Sequence, residues 1–281
     1  MTKGQDLSMS SKLRLMGILA HPDDESLGMG GTLAKYSREG VEIYLVTATR
    51  GERGRYGDLP ERPALEEVGR MREEELRNAA RTLGIKEINL LDYIDKDLDK
   101  ADPSEAIAKI AGCIRKHRPH VVITFGPEGA YGHPDHIAIS QFATAAVTCA
   151  ADCDYSGHNG IPAPGKPHRV SKLYYMAWTS RVWEAYLSAF RDLKLNIDGH
   201  ERRATPHPDW LITTEIDTSD VWETVWRAVQ CHKTQLTIYS KLDKLPEKHH
   251  LSIWGVQQYY RVFSSVNGGR KKENDLFEGL R

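Results

Sequence analysis

The sequence predicts an α/β protein: a Rossmann-like, doubly wound and mostly parallel sheet with helices on both faces, and a C-terminal extension that shapes the site. Three observations carry this. Strand-like apolar runs alternate with amphipathic helical stretches through the first half of the chain, two of those runs end at or near His-Pro-Asp segments, and 281 residues are enough to bury a substantial core.

The elements follow in order. Residues 13–20 are a short apolar run ending in His-Pro, and residues 42–48 are β-branched and apolar, so both read as buried strands. Between them, residues 30–39 form a short helix closed by Gly40. Residues 66–83 are a charge-rich amphipathic helix stopped by Gly84, followed by a strand at 87–91. Ser104, after Pro103, starts a helix to about His117, and 120–125 is the next strand. From 152 to 172 the composition turns to Gly, Pro and His, predicting a long irregular loop near the mouth of the site. Residues 173–178 and 210–216 read as further strands, 219–234 and 247–263 as helices, and 268–274 as a mobile stretch. The expected organisation is one domain over 1–281: a core over about 13–150, a portion at 151–264 completing the sheet and pocket, and a tail at 265–281. Neither a solenoid repeat nor a low-complexity tract interrupts it.

Composition narrows the function. Thirty-eight basic residues against 39 acidic ones give a net charge of -1, so no global field favours nucleic acid or an anionic membrane. No run approaches the roughly 20 apolar residues that span a bilayer, and residues 1–12 lack the apolar centre of a leader, so a cytoplasmic protein is expected. Of the four cysteines only Cys149 and Cys153 lie close together, which suits reduced thiols better than a disulfide framework or a four-cysteine zinc site. Homo-oligomerisation stays open.

The chemistry concentrates in two segments that nearly repeat one another, Ala20-His-Pro-Asp-Asp-Glu25 and Gly132-His-Pro-Asp-His136. The first lies directly past a strand and the second after a Gly-rich loop at 126–132. In a sheet of order 3-2-1-4-5, strands one and four flank the point where the strand order reverses, so the two segments should meet there. Proline suits the first turn of a helix, so each segment can aim its side chains from a strand-to-helix corner. Imidazoles and carboxylates converging from two rigid corners make a zinc site with open positions for water, and more than three residues are available as ligands. Within the first segment, His21 and Asp24 can face one side and leave Asp23 to take a proton from water that the cation has brought to a pKa of about 7. A single His-Pro-Asp is usually only a turn with a helix cap. Two copies at equivalent ends of adjacent strands, one with an extra Asp and one with an extra His, argue against that.

These residues also resemble a family. His21-Pro-Asp-Asp-Glu25, Thr49-Arg-Gly-Glu52, Arg72-Glu-Glu-Glu-Leu76 with Leu83-Gly84, Gly132-His-Pro-Asp-His136 and His232-Lys-Thr-Gln235 look like the LmbE-like, or PIG-L, deacetylases, in order from about Leu13 to the end. The resemblance implies a Rossmann-like fold and zinc-dependent removal of an acyl group from an N-acylated sugar such as an N-acetylglucosaminide. Some relatives are amidases acting on thiol conjugates. Position by position it implies His21, Asp24 and His136 as metal ligands and Asp23 as general base. It further implies His133 as a cation or acid assisting the tetrahedral intermediate, Asp135 orienting His133, and Tyr131 polarising the amide carbonyl. Arg72 would bind substrate, and Glu52 would lie in a loop near the pocket.

Plainer readings stand beside these. Arg72 sits among Glu66, Glu67, Glu73, Glu74 and Glu75, where solvated helix ion pairs are equally natural. Tyr131 can simply pack against its loop, and His232 can be a buried structural histidine. Gly28, Gly30 and Gly31 do not form G-x-G-x-x-G and fit tight helix packing instead. Trp178, Trp183, Trp210, Trp222 and Trp226 have a spacing that favours core packing over stacking on a sugar. A non-haem Fe(II) oxygenase also uses two histidines and a carboxylate, and Fe²⁺ can occupy a hydrolytic site of this kind, but such oxygenases place His-x-Asp on β-barrels. A non-catalytic metal or sugar module has no need of Asp23 or His133. A nicotinamide-dependent enzyme needs glycines where His-Pro-Asp-Asp stands.

Overall fold

The computed structural model describes residues 12–160, 163–189, 194–197, 199–239, 242–269 and 271–281. Residues 1–11 of the amino-terminal stretch, 161 and 162 of the loop at 152–172, and 270 of the stretch at 268–274 lie outside the described residues.

β1 (Arg14–Leu19) leads to α1 (Asp24–Arg38), β2 (Glu42–Thr49), α2 (Leu65–Leu83) and β3 (Glu87–Tyr93). α3 (Pro103–His117) then leads to β4 (Val121–Thr124), the single turn α4 (Gly129–Gly132), α5 (Pro134–Ala151) and β5 (Lys172–Ala177). The remainder comprises α6 (Ser180–Ala189), β6 (Lys194–Ile197), β7 (His200–Arg203), β8 (Thr214–Asp217), α7 (Trp222–Val229), α8 (Leu236–Tyr239), α9 (Glu247–Trp254) and β9 (Val256–Ser264).

Seven strands form one sheet in the order β3-β2-β1-β4-β5-β9-β8, and β6 pairs with β7 in a separate hairpin. From β3 to β5 all neighbours are parallel, while β9 is antiparallel to both β5 and β8. β1 is buried along nearly its whole length, which is why its sequence is a continuous apolar run without alternation. The order grows one way from β1 to β3 and the other way from β4 to β5, so right-handed crossovers put the two sets of helices on opposite faces. α1 packs with α2 and α7, and α3 with α5.

Local signals explain most boundaries. In α2 the buried residues Val68, Arg72, Glu75, Leu76, Ala79, Ala80 and Leu83 recur at helical spacing, and Gly84 ends the helix at φ 74. α3 is capped by Asp102, whose side chain accepts from the N–H groups of Ser104 and Glu105, with Pro103 in the first turn. The cap is thus two residues before the Ser104 expected from the sequence.

Four expectations are corrected. α1 begins at Asp24 and not at Gly30, because close packing admits the glycines that helix propensity disfavours. A Cβ on Gly31 would lie 2.7 Å from Thr218 Cβ. The expected helix at 247–263 is α9 followed by β9: past Gly255 the buried residues Gln257 and Tyr259 alternate, as in a strand. The expected strand at 210–216 is a 3₁₀ turn, Asp209–Leu211, and the short β8, with Trp210 82% exposed. The expected helix at 219–234 is confined to α7, followed by a 3₁₀ turn at Lys233–Gln235.

The loop at 152–172, expected near the site mouth, contributes none of its described residues to the cleft lining, though His158 Nδ1 comes within 3.1 Å of Ser104 Oγ at the start of α3. It joins the end of α5 to the start of β5, and a crossover between parallel strands must return the chain to the amino end of the sheet. Arg115 fastens it there, donating to the carbonyls of Asp152 and Ala163. All four cysteines are free, and no described helix is long and apolar enough to cross a membrane.

Candidate active site

The strand order reverses between the adjacent parallel strands β1 and β4, and both His-Pro-Asp segments are there. Past β1 the chain is pinned by Thr49, whose N–H and hydroxyl donate to the Ala20 carbonyl at 3.0 and 3.1 Å. It then turns through Asp23 at φ 104, a conformation rare for a side-chain-bearing residue. The Asp23 N–H donates to Glu25 Oε2 at 3.0 Å. Asp24 opens α1, and its Oδ2 accepts from the N–H groups of Ala20 and His21 at 3.2 and 2.8 Å. Past β4, Ala130 takes φ 64, His133 caps α5 and Pro134 occupies its first turn, so Asp135 and His136 project from a fixed helix start.

The two corners bring three ligand-type groups together. His21 Nδ1 lies 3.2 Å from His136 Nε2 and 3.7 Å from Asp24 Oδ2, and His136 Nε2 lies 3.4 Å from Asp24 Oδ1. A tetrahedral zinc with bonds of about 2.1 Å separates neighbouring ligand atoms by about 3.4 Å, so two imidazoles and a carboxylate at these spacings fit the ion. His21, Asp24 and His136 are all buried.

The outer nitrogen of His21 faces two more carboxylates. Its Nε2 is 3.1 Å from Asp135 Oδ2 and 3.2 Å from Asp95 Oδ1. Burial disfavours charge on His21, yet its hydrogen bonds to the Asp135 and Asp95 carboxylates and the charge of Asp24 push its pKa up to about 10. Burial acts against the Asp24 carboxylate as well, but His136 and His21 hold it well below the usual range.

Asp135, expected to orient His133, touches it and His21 as well. Its carboxylate serves His21 and the Lys96 N–H (2.7 Å), whereas its backbone N–H donates to His133 Nδ1 at 3.2 Å. Burial, together with the rings of His21 and His136, pushes the His133 pKa down to about 3. His133 is therefore neutral at ordinary pH and, with Nδ1 accepting, carries its hydrogen on Nε2.

A cleft open to solvent at its mouth lies over this cluster. Asp23, Asp24 and His136 line it together with Tyr131, Trp178, Trp183, Tyr186 and Pro206. Burial pushes Asp23 above the usual carboxylate range, with Arg72 opposing and Asp24 adding to the effect. Burial likewise raises the Tyr131 phenol, which keeps its proton.

Arg72 and Glu52 are buried and do not line the cleft. Arg72 donates to the carbonyls of Gly51 (2.9 Å) and Pro22 (2.5 Å) and lies 3.5 Å from Asp23 Oδ2. It is thus neither a solvated helix ion pair nor part of the cleft wall. Gly51 needs to be glycine twice over: it has φ 67, and a Cβ there would lie 2.1 Å from Arg72 Nη1. Glu52 accepts the Asp95 N–H at 3.1 Å.

Sequence reasoning missed Asp95, although a carboxylate just past the carboxyl end of β3 was a usable signal. It also missed the Glu25–His232 pair, whose 2.8 Å contact lies beneath the Asp23 turn. Of the tryptophans, Trp178 and Trp183 line the cleft, whereas Trp222 and Trp226 pack around His250 and Trp254 in a second core.

Comparison with known proteins identifies the family. Residues 16–147, which include both segments, match the PIG-L family, described as GlcNAc-PI de-N-acetylase. A 1D-myo-inositol 2-acetamido-2-deoxy-alpha-D-glucopyranoside deacetylase from Rhodococcus opacus (strain B4) is 35% identical over 249 residues, covering 81% of this chain and 83% of the relative. Among solved structures, the N,N'-diacetylchitobiose deacetylase from Pyrococcus horikoshii superposes with a TM-score of 0.66 at 22% identity, covering 90% of this chain and 84% of that one. The 4-carboxy-2-hydroxymuconate hydratase from Pseudomonas putida KT2440 gives 0.64 at 19% identity, covering 92% and 99%. The two superpositions establish the fold; the sequence relationship goes further, and by it the chain belongs to the PIG-L, or LmbE-like, family of deacetylases.

Proposed function

We propose that the protein is a zinc-dependent deacetylase that hydrolyses the amide of an N-acetylglucosaminide, releasing acetate and the free amine. The observation that carries this reading is the trio His21, Asp24 and His136 at 3.2 to 3.7 Å spacing beneath a cleft that Asp23 also lines. The hydratase shares the fold, so fold alone does not choose the reaction; the relatedness to a glucosaminide deacetylase favours amide hydrolysis.

His21, Asp24 and His136 would hold zinc, or Fe²⁺ in its place, whose charge would favour a polarised amide carbonyl and a water of pKa about 7. Asp23 takes the proton from the attacking water and passes it to the departing amine. Glu25 and His232 hold the Asp23 turn from beneath, and Arg72 holds it from the side. Tyr131, protonated and on the cleft wall, donates to the developing oxyanion, with the neutral Nε2–H of His133 as a further donor. Trp178 and Trp183 offer flat faces to a sugar ring.

The test is a panel of N-acetylglucosaminides and thiol-sugar conjugates given to the purified zinc-loaded enzyme, with amine release as the signal. Release from a glucosaminide, abolished by a chelator and restored by Zn²⁺, is the expected result. Turnover of the thiol conjugates alone would make the protein a conjugate amidase. Full zinc occupancy with no amine released from any compound would overturn the reading.

A further inference from the structure

We propose that Asp95 is a positioning residue for the cation site: together with Asp135 it locks the His21 ring so that Nδ1 faces Asp24 and His136. The inference rests on the reading that this trio binds zinc.

Two independent elements aim carboxylates at one ring nitrogen. Asp135 comes from the start of α5, and Asp95 from the turn after β3, on the other side of β1 in the sheet. His21 Nε2 has one hydrogen to give and finds oxygens at 3.1 and 3.2 Å. An imidazole with its hydrogen fixed on Nε2 presents a lone pair at Nδ1, the atom facing His136 and Asp24.

Asp95 is itself held from several sides. Its N–H donates to Glu52 Oε2 at 3.1 Å, its Oδ2 accepts the Arg53 N–H at 3.1 Å, and its carbonyl accepts from Arg53 Nη1 at 3.0 Å. The next residue, Lys96, adopts φ 67, and its N–H reaches Asp135 Oδ2 at 2.7 Å. A strained turn thereby ties the two carboxylates together. The Thr49-Arg-Gly-Glu52 segment thus acts on the cation site through Asp95, and Glu52 takes part without lining the cleft.

Charge explains why two carboxylates are present where one would orient a ring. Buried carboxylates are costly unless a positive charge compensates them. Asp24, Asp95 and Asp135 are all buried around His21, and a divalent cation on the trio would bring positive charge beside them.

The experiment measures Zn²⁺ affinity by competition with a chromogenic chelator, using the metal-free protein and its Asp95→Asn, Asp95→Glu and Asp97→Asn variants. Asp97 is an exposed-side neighbour on the same turn, paired with Arg53 and Lys100, and serves as control. Loss of a carboxylate that orients a metal-binding histidine typically weakens metal binding about 10–100-fold. That loss is expected for Asp95→Asn, with partial recovery in Asp95→Glu and no change in Asp97→Asn. The visible spectrum of the Co²⁺-loaded protein should shift in Asp95→Asn, which a purely structural defect would not cause. If Asp95→Asn does not fold, Asp95→Ser is measured in its place. Affinity within about twofold of wild type, far below the usual effect, would overturn the role of Asp95 while leaving the zinc site standing. A wild-type protein without Zn²⁺ affinity would overturn both.

Discussion

Replacing Asp23 by Asn separates the proton acceptor from the cation site. The amide keeps the shape of the carboxylate but cannot take a proton from water. The backbone should tolerate the change, because Asn is among the few residues that accept positive φ as Asp23 does, and the bond from its N–H to Glu25 is unaffected. Arg72 loses a charged neighbour at 3.5 Å but keeps its two carbonyl acceptors, Gly51 and Pro22. The His21, Asp24 and His136 spacings do not involve Asp23, so zinc affinity should hold. General-base removal costs about 10²–10⁴-fold in rate, which at about 1.4 kcal/mol per decade is about 3–5.5 kcal/mol of barrier. Steady-state amine release on the best substrate of the panel, alongside metal content by elemental analysis, gives both quantities on one preparation. A variant that loses zinc in step with activity would make Asp23 a ligand, and one with wild-type kcat would remove it from proton transfer.

Three other predictions follow from particular contacts. His133→Ala should lower kcat while leaving any alkaline limb of the pH–rate profile where it was, because His133 is already neutral, its pKa pushed down to about 3; disappearance of that limb would show a titrating imidazolium instead. Glu273 is buried and accepts from Lys172, Tyr174, Thr214 and Asn267 at 2.6 to 2.8 Å. Burial opposes its charge, but these donors push its pKa down to about 2. The resulting stability is fully present above the ordinary carboxylate value of about 4.5 and is lost as pH falls through about 2. Thermal melts should therefore fall steeply from pH 5 to pH 2, and Glu273→Gln should flatten that limb while costing about 3–5 kcal/mol at neutral pH by stranding Lys172; an unchanged acid slope would contradict this. Gly31→Ala should destabilise by about 1–3 kcal/mol through overpacking against Thr218, outweighing the roughly 1 kcal/mol gained in helix propensity; urea unfolding that shows a more stable variant would mean Thr218 can move aside.

The alternation of strand and helix through Thr124 and the two His-Pro-Asp segments were legible in the sequence, because a buried parallel strand leaves a continuous apolar run and proline marks the corner after it. From those alone the strand order and the meeting of His21, Asp24 and His136 follow, since topology brings the ends of β1 and β4 together whatever the loops do. The second half was less legible. Residues 247–263 have apolar and aromatic positions compatible with either period, and pairing between β5 and β8 decides that β9 is a strand. The partners of the site were hidden for a similar reason. Arg72, within a run of glutamates, turns inward because Gly51 leaves room for its guanidinium. Asp135 turns to His21 because the strained turn at Lys96 presents an N–H there. Trp178 and Trp183 line the cleft while Trp222 and Trp226 fill a core, although all four are similar in sequence terms. Local spacing determines which residues share an element and a corner. Which side chain faces which depends on contacts between residues far apart in the chain, and only the tertiary packing decides those.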